Sequence, residues 1–314
     1  MKMLGLLPPA AAGLALAGAY GAYRYVFYSP VGSQNDDYVI PAPARIPAYR
    51  GKSMALIRAL NEKPFERVFI RSFDGLKLTG RYYPARDGAP LAILFHGYRG
   101  TPSRDFSGGA SLFMELGYRV LNVEQRGQCG SEGHTISFGV NERRDCLSWA
   151  SYAAERFGPE TPIVLAGISM GASTVLMASE LTLPVSVRGI IADCPFTSPA
   201  AIIKSVARQM HVPPAVYPLA QLGARVFGGF SLDGADAVSA VRRARVPILL
   251  IHGEADSFVP CSMTRKNYAA CRAPKKLLLV PGAIHGLSYV VMQEEYEAIE
   301  KQFWAENDGK PAAK

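Results

Sequence analysis

The chain has 314 residues, of which 49% are hydrophobic and 19% charged, with a formal net charge of +8. That length and apolar content suit one large globular domain with a sizeable core, and exclude a disordered or disulfide-scaffold chain. The positive excess is nowhere gathered into a dense basic run with interleaved aromatics, which argues against nucleic acid as a partner.

Met3 to Tyr23 is an uncharged apolar run with Lys2 before it and Arg24 after it, about long enough to cross a hydrocarbon core. It predicts a single-pass N-terminal membrane anchor over residues 1–27. Small residues at Ala19 to Ala22 would also suit a cleaved signal peptide, and Pro8 and Pro9 make the helix imperfect. One basic residue on each flank fixes orientation weakly; an extracytoplasmic domain is favoured because short N-terminal tails stay in the cytoplasm. Residues 28–65, rich in Pro, Ala and polar side chains in their first half, read as a tether.

The domain is expected over residues 66–306, with a disordered tail at 307–314. Arg67 to Ser72 and Leu76 to Tyr83 alternate apolar and polar around Asp74-Gly75, a hairpin signal. From Leu91 onward, short apolar strands alternate with helical stretches, the pattern of a parallel sheet covered on both faces. Strands are placed at 91–95, 119–123, 163–167, 188–192, 247–251 and 276–280, and helices at 103–116, 140–156, 169–180, 263–271 and 287–306. The gap before residue 247 is too long for a simple crossover, and its proline-broken helical content predicts a small cap at about 197–245. That segment carries net +4, half of the chain's excess.

Gly167-Ile168-Ser169-Met170-Gly171 lies between a predicted strand and a predicted helix, the setting in which Gly-x-Ser-x-Gly lifts a serine hydroxyl clear of a sheet. Acyl transfer by serine needs a base, a carboxylate to orient that base, and donors for the oxyanion. His285, in the loop after the last strand, is the candidate base. Asp256, after the preceding strand, is the preferred acid, with Asp193 and Glu254 as rivals on position alone. The backbone N–H groups of Tyr98, in the glycine-bordered loop His96-Gly97-Tyr98-Arg99-Gly100, and of Met170 are candidate oxyanion donors. His96 and the loop Glu124 to Gly133 read as structural.

No GxGxxG spacing supports a dinucleotide site, and the reaction needs no cofactor. Five cysteines form no Cys-x-x-Cys pair, so no metal site is expected. Cys261 and Cys271 on one helix would be about 15 Å apart, too far for a bridge; a Cys194–Cys261 pairing stays open.

Five stretches together resemble the α/β-hydrolase superfamily over roughly residues 66–304: HGYRGT at 96–101, EQRGQCGSEG at 124–133, GISMGA at 167–172, HGEADSFVP at 252–260 and GAIHG at 282–286. Within it the chain looks most similar to bacterial membrane-anchored serine hydrolases of the BEM46 and ABHD13-like group, although relatives commonly carry Asp where Glu124 stands. The resemblance implies an α/β-hydrolase fold, with a mostly parallel eight-stranded sheet, helices on both faces and a small helical cap. It implies Ser169 as nucleophile, His285 as base and Asp256 as orienting acid.

The resulting expectation is a serine hydrolase that cleaves carboxylic esters through an acyl-enzyme, its substrate a small-molecule or lipid ester. A basic cap beside a membrane anchor points toward acyl-chain esters drawn from a bilayer surface. A peptidase or amidase of the same fold and a catalytically silent, membrane-anchored binding protein are the rivals.

Overall fold

Residues 9–30 and 47–307 are described by a computed structural model. Asp74-Gly75 makes the expected hairpin: β1 (Glu66–Arg71) and β2 (Lys77–Tyr83) pair antiparallel, with Gly75 at a φ of 90° that a residue with a Cβ adopts only under strain. The strands that follow are β3 (Leu91–Phe95), β4 (Arg119–Val123), β5 (Ile163–Ile168), β6 (Val187–Asp193), β7 (Ile248–Gly253) and β8 (Lys275–Val280). They form one eight-stranded sheet of order β1-β2-β4-β3-β5-β6-β7-β8, parallel from β4 to β8 and antiparallel where β2 meets β4. This is the α/β-hydrolase fold. Every residue of β3, β4 and β7 is buried, as a sheet covered on both faces requires.

The order reverses at β3, which has β4 on one side and β5 on the other, with Phe95 in register with Gly167. Chain leaving β3 and chain leaving β5 therefore emerge side by side. Crevices in open α/β sheets form at such a reversal.

The helices, in chain order, are α1 (Pro9–Val26), α2 (Pro47–Asn61), α3 (Pro102–Glu115), α4 (Glu142–Phe157), α5 (Met170–Ala178), α6 (Pro199–Gln209), α7 (Tyr217–Val226), α8 (Ala237–Val241), α9 (Cys261–Ala270), α10 (Ser288–Val291) and α11 (Gln293–Asn307). One face of the sheet is covered through Trp149 of α4, Val175 of α5 and Val241 of α8; the other through Leu60 of α2, Phe113 of α3 and Phe303 of α11. α6, α7 and α8 lie in the long connection between β6 and β7. The single helix expected over 287–306 is interrupted at Met292 (φ −130°, ψ 65°), which separates α10 from α11. The segment read as a tether holds α2 in its second half, while residues 31–46 lie outside the described residues, as do 308–314 of the expected tail.

The N-terminal membrane anchor is corrected, and with it the membrane localisation and membrane partner. Residues 1–8 of the expected anchor lie outside the described residues, and among the described residues no helix is long and apolar enough to cross a membrane. α1 has 18 residues, about 27 Å at 1.5 Å per residue against a hydrocarbon core of about 30 Å. Its small residues serve another purpose. A Cβ on Gly223 of α7 would lie 2.4 Å from the Ala19 carbonyl oxygen, and one on Gly18 would lie 3.1 Å from Leu219, so the two helices approach backbone to backbone. Ala19, Tyr23 and Phe27 are buried in the domain's core, Phe27 packing edge-on against Phe138 and Phe230. The Tyr28–Thr135 bridge and the Ser29 N–H donating to the His134 carbonyl (2.9 Å) sew the helix end to the loop after β4.

Candidate active site

β5 runs into Ser169, whose φ of 55° and ψ of −114° are strained for a residue with a side chain, and α5 begins at the next residue. Close backbone packing imposes this turn. A Cβ on Gly167 would sit 2.3 Å from the Gly171 carbonyl carbon, and one on Gly171 only 1.8 Å from the Phe95 carbonyl oxygen, so both positions require glycine. The Ser169 N–H donates to the Asp193 carbonyl (2.8 Å), tying the turn to β6.

His285 stands in the loop after β8. Its Nε2 lies 2.9 Å from Ser169 Oγ and its Nδ1 lies 2.7 Å from Asp256 Oδ2. The Ala255 N–H donates to the Ala283 carbonyl (3.0 Å) and the Glu254 N–H to the Val280 carbonyl (2.9 Å), so the loops after β7 and β8 are zipped together and the two side chains meet. Asp256 accepts the N–H groups of Phe258 and Val259 on its other oxygen, each at 2.9 Å. Burial raises the proton affinity of this carboxyl, but donors from His252, His285 and the Val259 amide outweigh it and hold the group at about 2. Asp256 is therefore ionised at neutral pH.

The two rival acids are placed elsewhere. Asp193 accepts from Ser288 Oγ (3.0 Å) and Glu254 pairs with Arg265 at the surface (2.8 Å). Burial raises the Asp193 carboxyl above its usual range.

Gly97 backs directly onto the serine, since a Cβ there would lie 3.4 Å from Ser169 Cβ. Asp105 Oδ2 accepts the Gly97 N–H (2.8 Å) and holds the loop. His96 braces it from below. The Gln125 N–H donates to His96 Nε2 (3.1 Å), which leaves Nδ1 as the donor to the Gly97 carbonyl (2.8 Å). Among the described residues, neither the Tyr98 nor the Met170 N–H meets an acceptor, as expected of the first residue of a helix in the case of Met170. The Tyr98 ring stacks on Phe138 (5.0 Å) and its hydroxyl donates to the Val26 carbonyl at the end of α1 (2.7 Å), while Arg99 Nη2 donates to the carbonyls of Tyr25 and Tyr28.

The loop after β4 is structural. Glu124 accepts from Thr79 Oγ1 (2.5 Å) and the Gly130 N–H (2.9 Å), and Arg126 forks onto Asp145 and Asp74. All five cysteines are free thiols, and Cys194 Sγ lies within 4.8 Å of ligand atoms of Asp256 and His285.

Three contributors take their place at the site only in the structure. Phe258, half-exposed, lays its edge against the His285 ring (5.0 Å); the end of α1 holds Tyr98; and His252 contacts Asp256. His252 stands inside a recognised stretch, so a donor two residues upstream of the acid turn was the available clue.

The alpha/beta hydrolase family model matches residues 92–301, two thirds of the chain. Uncharacterized protein YqkD of Bacillus subtilis is 27% identical over 236 residues, 74% of this chain and 77% of its own. Lysophosphatidylserine lipase ABHD12 of Danio rerio is 28% identical over 204 residues, 60% of this chain and 49% of its own. Among solved structures, the Pyrococcus furiosus esterase Pf2001 superposes with a TM-score of 0.61 at 21% identity, covering 78% of this chain and 94% of that one. Est1E from Butyrivibrio proteoclasticus, bound to ferulic acid, gives 0.59 at 22%, covering 77% and 100%. At these identities the structural likeness is one of fold. Together with the family match over the segment that carries β3 to β8, it follows that the chain belongs to the alpha/beta hydrolase family.

Proposed function

We propose that this hydrolase cleaves carboxylic esters with Ser169 as nucleophile, His285 as general base and acid, and Asp256 as the carboxylate that orients His285. The observation that carries the reading is the continuous hydrogen-bonded line from Ser169 Oγ through both ring nitrogens of His285 to an ionised Asp256. As Ser169 Oγ attacks the acyl carbon, its proton passes to His285 Nε2, and the charge on the carbonyl oxygen is taken by the Tyr98 and Met170 N–H groups. Collapse breaks the bond to the alkoxy oxygen, which leaves as the alcohol with the proton from His285. Water then gives a proton to His285, attacks the acyl-serine and releases the acid, restoring Ser169.

The substrate class proposed is an ester with an acyl chain. The exposed aromatic edge of Phe258 against His285 supports it, and the similar proteins include a lysophosphatidylserine lipase and an esterase. Kinship with the BEM46 and ABHD13-like group belongs to the same reading and rests on the five motifs. An amidase reading draws on one structural likeness, the Pyrococcus horikoshii acylaminoacyl peptidase, at a TM-score of 0.57 and 16% identity over 80% of this chain.

Ser169→Ala is expected to abolish turnover of p-nitrophenyl acyl esters and labelling by a fluorophosphonate probe, while leaving the melting temperature nearly unchanged. Retained turnover in that variant would overturn the assignment. Comparing acyl esters of increasing chain length with aminoacyl amides then separates esterase from amidase.

A further inference from the structure

His252, two residues before the acid loop turns, is fully buried near the end of β7, in register with Leu279 of β8. Its Nε2 lies 2.9 Å from the Val259 carbonyl oxygen and 3.2 Å from Asp256 Oδ2. Both of those atoms are acceptors, the carboxylate because it is ionised, so Nε2 carries a hydrogen and donates to both. Its Nδ1 lies 2.6 Å from Thr264 Oγ1 on α9, and that hydroxyl lies 3.3 Å from the Pro195 carbonyl in the loop after β6. The ring is thus clamped at Nε2 by the loop after β7 and at Nδ1 by α9, whose Thr264 is itself tied to the loop after β6.

The oxygen that His252 touches is the same one that accepts His285 Nδ1. Asp256 therefore sits between two imidazoles on Oδ2, while the Phe258 and Val259 amides occupy Oδ1. A carboxylate held only by the two amides could swing Oδ2 about the Cβ–Cγ bond and away from His285. A donor fixed behind Oδ2 removes that freedom.

We propose that His252 is a positioning residue for the reaction: through its Nε2–H it locks the Asp256 carboxylate in the rotamer that presents Oδ2 to His285. The inference rests on the roles given above to Ser169, His285 and Asp256. His252 itself touches neither the serine nor the substrate, so its removal alters the rate of the chemical steps and leaves substrate binding in place.

The test uses the full-length protein, p-nitrophenyl acyl esters and four variants, each with its melting temperature recorded. His252→Leu is expected to lower kcat about 10- to 100-fold, the scale of a lost hydrogen bond to a charged group, with KM within about twofold. His252→Gln keeps a side-chain N–H at a similar reach and recovers most of that loss. Thr264→Val leaves the ring but removes the hydroxyl on Nδ1; it shifts kcat in the same direction by a smaller factor. A His252→Leu enzyme with unaltered kcat, equal losses in the Leu and Gln variants, or a loss confined to KM would each overturn the inference. Should His252→Leu fail to fold, the other pair decides: near-full activity in Gln with reduced kcat in Thr264→Val supports it, and an unaltered Thr264→Val refutes it. Ser169→Ala separates the two levels, because turnover persisting there refutes the nucleophile assignment, whereas an inactive Ser169→Ala beside an unimpaired His252→Leu refutes only the role of His252.

Discussion

The carboxyl edge of the sheet and the N-terminal helix are both assembled by close backbone approach, yet they are specified in opposite ways. At the sheet edge, donor–acceptor distances of 2.7 to 3.0 Å fix the positions of Ser169, Asp256 and His285, and Gly167 and Gly171 leave no room for a side chain. Along α1, the requirement is only that one stripe be small or apolar, and Gly18, Ala19, Tyr23 and Phe27 satisfy it against α7 and the core. Directional chemistry leaves a readable motif. Non-directional packing leaves a composition that serves several environments equally well.

The comparison breaks most sharply at the acid. Asp256→Asn should lower kcat about 10,000-fold, the scale seen when an orienting carboxylate is replaced by its amide, whereas Asp193→Asn should stay within about tenfold because Asp193 serves Ser288 and not His285. Steady-state kinetics on both variants, with melting temperatures, checks this; comparable losses would erase the distinction between the two carboxylates.

On the helical side, Gly223→Val sets a side chain where a Cβ already lies 2.4 Å from the Ala19 carbonyl oxygen. Such overpacking costs about 1–3 kcal/mol. Limited proteolysis should then cut near α1, while turnover per folded molecule falls far less than in Asp256→Asn. If turnover collapses instead, the helix is as specific as the site.

An effect on stability alone, with no change in rate, concerns Glu300 of α11, which burial, together with Asp193 and Glu297, pushes up to about 8 from an ordinary 4.5. The folded protein holds a proton there that the unfolded chain has released. Its contribution to stability is complete below about 4.5 and is lost as pH rises toward 8. Glu300→Gln should therefore flatten the decline of melting temperature between pH 5 and pH 8, which calorimetry across that range measures. An unchanged slope would mean that Glu300 is ionised throughout.

The same contrast explains how much was legible beforehand. Alternating and continuous apolar runs located all eight strands, since a buried parallel strand has few other readings. That Ser169, Asp256 and His285 meet was legible because each follows a strand inside a glycine-marked loop. α1 reads as a membrane span because a run of Ala, Gly, Leu and Tyr satisfies lipid and a neighbouring helix alike, and the partner, α7, lies about two hundred residues away. α2 gives no clear signal for the converse reason: Pro47–Asn61 mixes Arg58 and Asn61 with Ile57 and Leu60, and its helical face acquires meaning against α3. The double contact on Asp256 Oδ2 depends on the rotamer of a buried ring, which no spacing rule encodes.

The hydrogen bond from Tyr98 to the carbonyl of Val26 ties the last turn of α1 to the loop proposed to stabilise the oxyanion. Two sites joined by a shared, orientable group are thermodynamically linked, and the linkage runs both ways. Whatever firmness the docked helix lends to the Tyr98 loop, an anion held by that loop returns to the helix. On the proposed mechanism, a tetrahedral phosphonate bound at Ser169 is accordingly expected to slow amide exchange in Tyr23 to Tyr28, far along the chain from that serine.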